Sequence, residues 1–292
     1  MSIKQHYPHD FALLFDFQRN EASEHIIYQR LAKMVKDHHN RAALNKIAAD
    51  ELRHYHVYKD YTHHEVAPSR PKIFWYLLLA RVFGVTFSIK LMESGERGAQ
   101  QAYKQLIGLV PEIDKIIADE HGHERELLKL VNEEKLKYIG SIVLGMNDAL
   151  VELTGTLAGL TFALQNEKLV GVAGLITGVA AALSMAASEY LSIKVEEQLN
   201  PLTAAFYTGL TYFVVVGVLV LPFLLLGNPF TAMALTLIAA IVLIGGFNYY
   251  YSVVREVPFP RRFGEMLAIS LGVAFLSFLI GLLIRQFLGV SA

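Results

Sequence analysis

The chain has 292 residues, 53% of them hydrophobic and 18% charged, with a formal net charge of −1 and no cysteine. The missing thiols exclude a disulfide scaffold, thiolate-bound zinc, an iron–sulfur cluster and a cysteine nucleophile. Near-neutral charge argues against a basic nucleic-acid surface, so no nucleic-acid partner is expected.

The averages conceal a break near Lys137. Residues 1–137 hold 20 of the 26 Lys and Arg, 19 of the 27 Asp and Glu and all 11 histidines. A polar domain, 1–137, followed by a membrane domain, 138–292, is therefore expected. The charged, histidine-bearing start lacks the apolar core of a signal peptide. No strand pattern is visible in the first part, and helical spacing predicts an all-α fold. Helices are expected over residues 10–37, 40–65, 72–109 and 111–134. Breaks fall at His38-His39-Asn40, at Pro68-Ser69-Arg70-Pro71 and before Pro111, which suits a helix start. Four long helices with short turns predict a four-helix bundle. Residues 73–89, IFWYLLLARVFGVTFSI, are apolar enough for an extra span, but Arg81 interrupts them and Lys90 ends them. A buried or interface-facing helix, touching the membrane or a second subunit, is expected there.

Glu51 and His54 on the second helix, and Glu120 and His123 on the fourth, are three residues apart, so each pair shares a helix face. Bundle proteins with two iron ions combine two such pairs with one glutamate from each remaining helix. Glu21 and Glu96 suit that part. Glu24 and Glu93, one turn away, replace or supplement them. Tyr28 and Tyr103 each follow one of these glutamates by seven residues and are expected beside the ligands. A two-iron site is the expectation, with Zn or Mn as substitutes.

About 20 apolar residues span a bilayer as a helix. Five stretches qualify: 139–164, 169–193, 204–226, 231–254 and 266–287. Lys135, Lys137, Lys194, Arg255, Arg261 and Arg262 flank the side of the N-terminal domain, and Lys168 and Arg285 the other. This bias predicts that domain in the cytoplasm and the C-terminus outside. The first two spans are rich in glycine and alanine, which let helices pack closely in lipid. They also carry Asp148 and Glu152, four apart on one face, and Met185 and Glu189 at the same spacing. Glu196 and Glu197 continue the acidic line toward the cytoplasm. An ionised carboxylate at membrane depth costs about 2.5 kcal/mol or more, so it must line water, bind a cation or be protonated. Hard oxygens with a thioether suit a borderline transition cation better than Mg²⁺ or Ca²⁺.

Two resemblances follow from these residues. Residues 10–134 resemble the rubrerythrin branch of the ferritin-like superfamily through EASEHIIY, ELRH, ESGERGAQQAY and EHGH. Residues 138–292 resemble the vacuolar iron transporter family through YIGSIVLGMNDALVELTGTLAG and GLITGVAAALSMAASEYLSIKVEEQ. The fusion is similar to the membrane-bound ferritins of prokaryotes. The resemblance implies a ferritin-like bundle fused to five membrane helices, set as a homodimer in the lipid of a prokaryotic cytoplasmic membrane. It also implies transport of Fe²⁺, with Mn²⁺ as a second cargo, against protons. Asp148, Met185 and Glu189 then match the pore and proton-coupling positions. Vacuolar members carry a glutamate-rich insert between the second and third spans. Here only IKVEEQLNPL stands there, so the metal-collecting task is expected in the bundle.

The leading expectation is an iron exporter whose bundle captures or senses Fe²⁺. The alternative is a membrane-anchored two-iron oxidase or peroxidase whose spans serve as anchor and oligomeriser.

Overall fold

The computed structural model describes residues 8–103, 110–129, 134–197 and 199–288, and the side chains of 12–95, 110–127, 136–197 and 199–287. Every regular element among the described residues is a helix. The chain divides into two compact units, Met1–Asn132 and Glu133–Ala292.

In the first unit, α1 (Pro8–Met34) and α2 (His38–Thr62) pack along their length as a hairpin. The Asp37 side chain caps α2 by accepting from the Asn40 N–H at 2.8 Å, which satisfies an otherwise orphan donor. Ser69 caps α3 (Arg70–Phe83) in the same way, with Pro71 in its first turn. α4 (Val85–Tyr103) and α5 (Ile113–Lys129) complete the unit. The single helix expected over 72–109 is thus two. Gly84 separates them at φ 99°, a conformation open to glycine and costly for other residues. The Gly84 N–H closes α3 on the Ala80 carbonyl, and Ser88 Oγ donates to the Tyr76 carbonyl at 2.8 Å, tying α4 back to α3.

Two apolar clusters build this core. One gathers Ile27, Leu31, Leu44, Ile47, Ile89 and Leu127. The other gathers Leu14, Phe17, Tyr58, Ile113 and Ile116. Between them along α1, α2 and α5 lies a layer of buried acids and histidines: Glu21, Glu24, Glu51, His54 and His123. Burying that layer stabilises nothing unless every member finds a partner.

The second unit begins with one helical turn, Glu134–Lys137, and then α6 (Ile139–Leu164), α7 (Glu167–Glu196), α8 (Pro201–Leu225), α9 (Pro229–Arg255) and α10 (Phe259–Leu288). The polar breaks are capping sites. Asn166, Asn200 and Asn228 each accept from the first turn of the following helix, and Pro201 and Pro229 stand at helix starts. α6 is central and touches all four other helices of the unit.

Four of these helices, α7 to α10, are long and apolar enough to cross a membrane. α6 is 26 residues long but falls outside that set, because Asn147, Asp148 and Glu152 interrupt its apolar run. The glycines of α6 and α7 let helices approach closely, mostly toward α8 and α10. A Cβ on Gly145 would meet the Thr208 backbone of α8, and one on Gly281 of α10 would meet the Gly159 backbone. One on Gly178 would meet Val216 at 2.7 Å, so α7 also leans on α8.

Candidate functional site

In the first unit, one ligand atom from each of Glu21, Glu51, His54 and Glu120 lies within 4.8 Å of the others. They come from α1, α2 and α5. His54 Nδ1 stands 3.2 Å from Glu120 Oε1, 3.5 Å from Glu51 Oε2 and 3.8 Å from Glu21 Oε2. His123 Nδ1 stands 3.4 Å from Glu51 Oε1 and 3.6 Å from Glu120 Oε2. Glu51 and Glu120 therefore each offer one oxygen to each imidazole, and the two rings are 6.0 Å apart.

The inward atoms are the ones left over. Glu21 Oε2, Glu51 Oε2, His54 Nδ1 and His123 Nδ1 are buried with no hydrogen-bond partner. Orphaned buried polar atoms are rare and call for an explanation. A cation among them satisfies them together, so this buried Glu/His group is fit to hold a metal ion.

Protonation tells the same story for the metal-free protein. Burial opposes a charged His54, but the carboxylates of Glu120, Glu21 and Glu51 outweigh it and push the ring up to about 12. His123 is pushed up to about 10, burial again being outweighed, here by Glu120 and Glu51. Burial would raise Glu51, yet the two imidazoles hold it well below the carboxylate range. Glu21 is driven well above that range by burial and then by Glu51. The same carboxylates that favour a protonated imidazole here would favour a cation, and a ligating imidazole must shed its proton.

The outer ring nitrogens are also held. His54 Nε2 lies 3.4 Å from Asp119 Oδ2, and His123 Nε2 lies 3.1 Å from Asp50 Oδ2. Each imidazole is thus paired with an aspartate on the opposite helix. Arg53 donates to both aspartates, at 2.6 Å to Asp50 and 2.8 Å to Asp119. A carboxylate on the far nitrogen sets the tautomer that leaves Nδ1 for metal. Sequence reasoning missed these aspartates, although the signal was present: each Glu-x-x-His is preceded by Asp, at Asp50 and Asp119. They line a cavity of about 600 Å³ with Arg53, Lys46 and Lys115, and His123 reaches its wall.

Glu24 and Glu93 sit at the margin of this cluster. Lys72 donates to Glu24 at 2.6 Å, and the Tyr28 hydroxyl donates to Glu93 at 3.1 Å. Burial raises both carboxyls to about 7, against the pull of Lys72 on one and Tyr28 on the other. Glu96 and Tyr103 lie outside the residues whose side chains are described. Tyr58 is fully buried, and its hydroxyl has no partner.

The carboxylates of the second unit are arranged otherwise. Glu189 is buried on α7 and accepts from Ser141 Oγ of α6 at 2.5 Å. Glu152 is exposed and accepts from the Tyr212 hydroxyl of α8 at 2.7 Å. Asp148 is half-buried, one turn from Glu152. Met185 packs against the apolar core. Among the described residues no hydrogen bond or ion pair joins Asp148 or Glu152 to Glu189. Gly140, Leu144 and Glu152 are exposed, and they share the i, i+4 stripe of α6 on which Asp148 lies. The stripe is partly open but borders α7 and α8: Ser141, seven residues before Asp148 and so on the same face, donates to Glu189 of α7, and Glu152 accepts from Tyr212 of α8. Glu196 and Glu197 are exposed at the end of α7.

The VIT family model matches residues 139–200, which cover α6, α7 and the turn into α8. Comparisons with curated proteins and with solved structures find no match. The matched segment carries Asp148, Glu152, Met185, Glu189, Glu196 and Glu197. It supports the likeness to vacuolar iron transporters and points to metal-ion transport in a membrane, and the four apolar helices fit a multi-pass membrane protein.

Proposed function

We propose that this protein is a homodimeric, proton-coupled exporter of Fe²⁺, with Mn²⁺ as a second cargo, in a prokaryotic cytoplasmic membrane. The N-terminal unit lies in the cytoplasm and captures or senses iron at a ferritin-like two-metal site, and α6 crosses the membrane with the four more apolar helices. The observation that carries this reading is the partly exposed acid stripe of α6, beside α7 and α8, inside the segment the VIT family model matches. Partly exposed acids are costly against lipid, and a second copy covers that opening and makes it a shared polar path. Asp148 and Glu152 are then the cation-handling groups, with Met185 and Glu189 along the same route.

In the bundle, Glu21, Glu51, His54 and Glu120 hold one ion, and His123 with Glu51 and Glu120 begins a second position. Glu24, Glu93 and Glu96 are its candidate completing ligands. Iron bound there supplies redox chemistry with oxygen or peroxide. The chain's own groups fix the imidazoles, exclude water and take up protons when the ion leaves. That same closed site favours the second reading, a membrane-anchored two-iron oxidase or peroxidase.

Fe²⁺ flux into proteoliposomes, with and without an acidic lumen, separates the two. Export expects flux that rises when protons run opposite to the metal. An absent flux alongside oxidase activity that needs Glu51 and His123 selects the second reading. The dimer is tested independently: Leu144→Cys, in a chain with no native cysteine, should cross-link two copies along α6.

A further inference from the structure

The first unit carries a second apolar face that its own core does not use. On α3, Phe74 is 67% exposed, Trp75 55%, Leu78 39% and Val82 64%. At 100° per residue they fall in one arc with Arg70 and Arg81, about 140° wide. The opposite side, through Ile73 and Ala80, packs into the bundle core. A helix apolar on both sides needs cover on both.

We propose that this face of α3 lies in the headgroup layer of an anionic lipid surface. Three observations choose lipid. All charged residues of α3 are basic, and Arg70 and Arg81, both exposed, border the apolar arc, which is the pattern of helices that lie in an interface. Basic side chains are drawn to the negative surface of the cytoplasmic leaflet. The second unit's four apolar helices keep a bilayer within reach of the bundle at all times, so a modest docking energy suffices. At 14 residues α3 spans about 21 Å, too short to cross a hydrocarbon core of about 30 Å. It lies on the bilayer, with Trp75 and its aromatic neighbour Phe74 at headgroup depth. The inference rests on the second unit crossing a membrane, and its readout is independent of metal flux.

Trp75 is the one tryptophan of the chain, so its fluorescence reports this face alone. The full chain is reconstituted in phosphatidylcholine vesicles with and without phosphatidylglycerol, using lipids brominated near the headgroup or near the chain end. The expected result is a blue-shifted emission and its loss to the shallow bromines. That loss should be greater with phosphatidylglycerol present, and reduced by high salt and by Arg70→Gln with Arg81→Gln. Emission quenched by aqueous iodide and untouched by brominated lipid overturns the proposal. Efficient disulfide formation between copies carrying Val82→Cys also overturns it, assigning the face to a second chain. Because these side chains are exposed, Phe74→Glu with Val82→Glu should fold and abolish the lipid quenching. Retained quenching in that variant would sink the idea.

Discussion

Glu51 in the bundle is 1% exposed and faces two imidazoles, whereas Glu152 in the membrane unit is exposed and held by one tyrosine. Both units carry acids at helical spacing, and they satisfy them by different means. The bundle closes around its carboxylates with residues of the same chain, down to the aspartates that clamp the histidines. The membrane unit leaves Asp148 and Glu152 partly open beside Tyr212, with the Ser141–Glu189 pair about two turns along the same face of α6. A closed set of acids suits a site that holds its ion. An open stripe suits a path that is complete only when another chain covers it, and that passes its ion on.

The sharpest test of this contrast is Asp148→Ala, which should reduce Fe²⁺ flux to background while leaving the protein folded and its bundle metal content unchanged. Wild-type flux in that variant would break the comparison outright. Glu51→Ala should do the reverse. It strips both metal positions and leaves two buried imidazoles without their common carboxylate. Breaking one partner of a buried charge network costs about 3–5 kcal/mol, so the bundle should lose amide-exchange protection. Flux at saturating Fe²⁺ should persist.

Next in size is a pH effect confined to the bundle. Glu24 and Glu93 rise from an ordinary 4.5 to about 7. A raised pKa in the folded state means stability that is present below pH 4.5 and lost as pH climbs through 7. His54 and His123, raised from 6.5 to about 12 and about 10, extend the loss above pH 6.5. Glu51 works oppositely, losing its contribution as pH falls below 4.5. Chelator-treated protein should therefore lose exchange protection in α1 and α4 between pH 4.5 and 7. Metal should restore it, with protons released on binding. Calorimetry in buffers of different ionisation enthalpy counts those protons, and no release would contradict the imidazolium-filled cluster. Asp50→Asn or Asp119→Asn should act more gently, lowering metal affinity by about 10–100-fold without emptying the site.

How far these features could be read from the sequence depends on whether one helix suffices to define them. The pairs Glu51–His54 and Glu120–His123 are visible because three residues nearly close a turn. Asp50 and Asp119 escape that reading because each serves a histidine on the other helix, and in-helix spacing is blind to such a partner. The break at Gly84 escapes it too. Glycine is tolerated within an apolar helical run, and only the fold back from α3 to α4 demands its positive φ. In the membrane unit, spacing puts Asp148 and Glu152 on one face but does not say where that face points. Lipid is as apolar as a helix neighbour, so the pattern of apolar residues does not separate inside from outside. The five long helices of this unit were legible in length, and four of them are apolar enough to cross a membrane, the acids of α6 keeping it below the others.

The open stripe also requires that α6 be held in place, and the smallest prediction addresses that anchorage. Gly159 and Gly281 bring the backbones of α6 and α10 into direct contact, and a Cβ on Gly281 would run into the Gly159 carbonyl. Backbone cannot give way as a side-chain tip can, so Gly281→Ala should cost about 1–3 kcal/mol of overpacking. Gly272 lies on the same helix with open space around it. Gly272→Ala should be neutral or gain up to about 1 kcal/mol from helix propensity. Opposite signs for two identical substitutions on α10, read as thermal stability in detergent, would locate the anchor at the Gly159 contact. If Gly281→Ala also rotates α6, the Leu144→Cys cross-link should weaken with it, which ties the orientation of the acid stripe to one pair of glycines that meet about two turns further along α6.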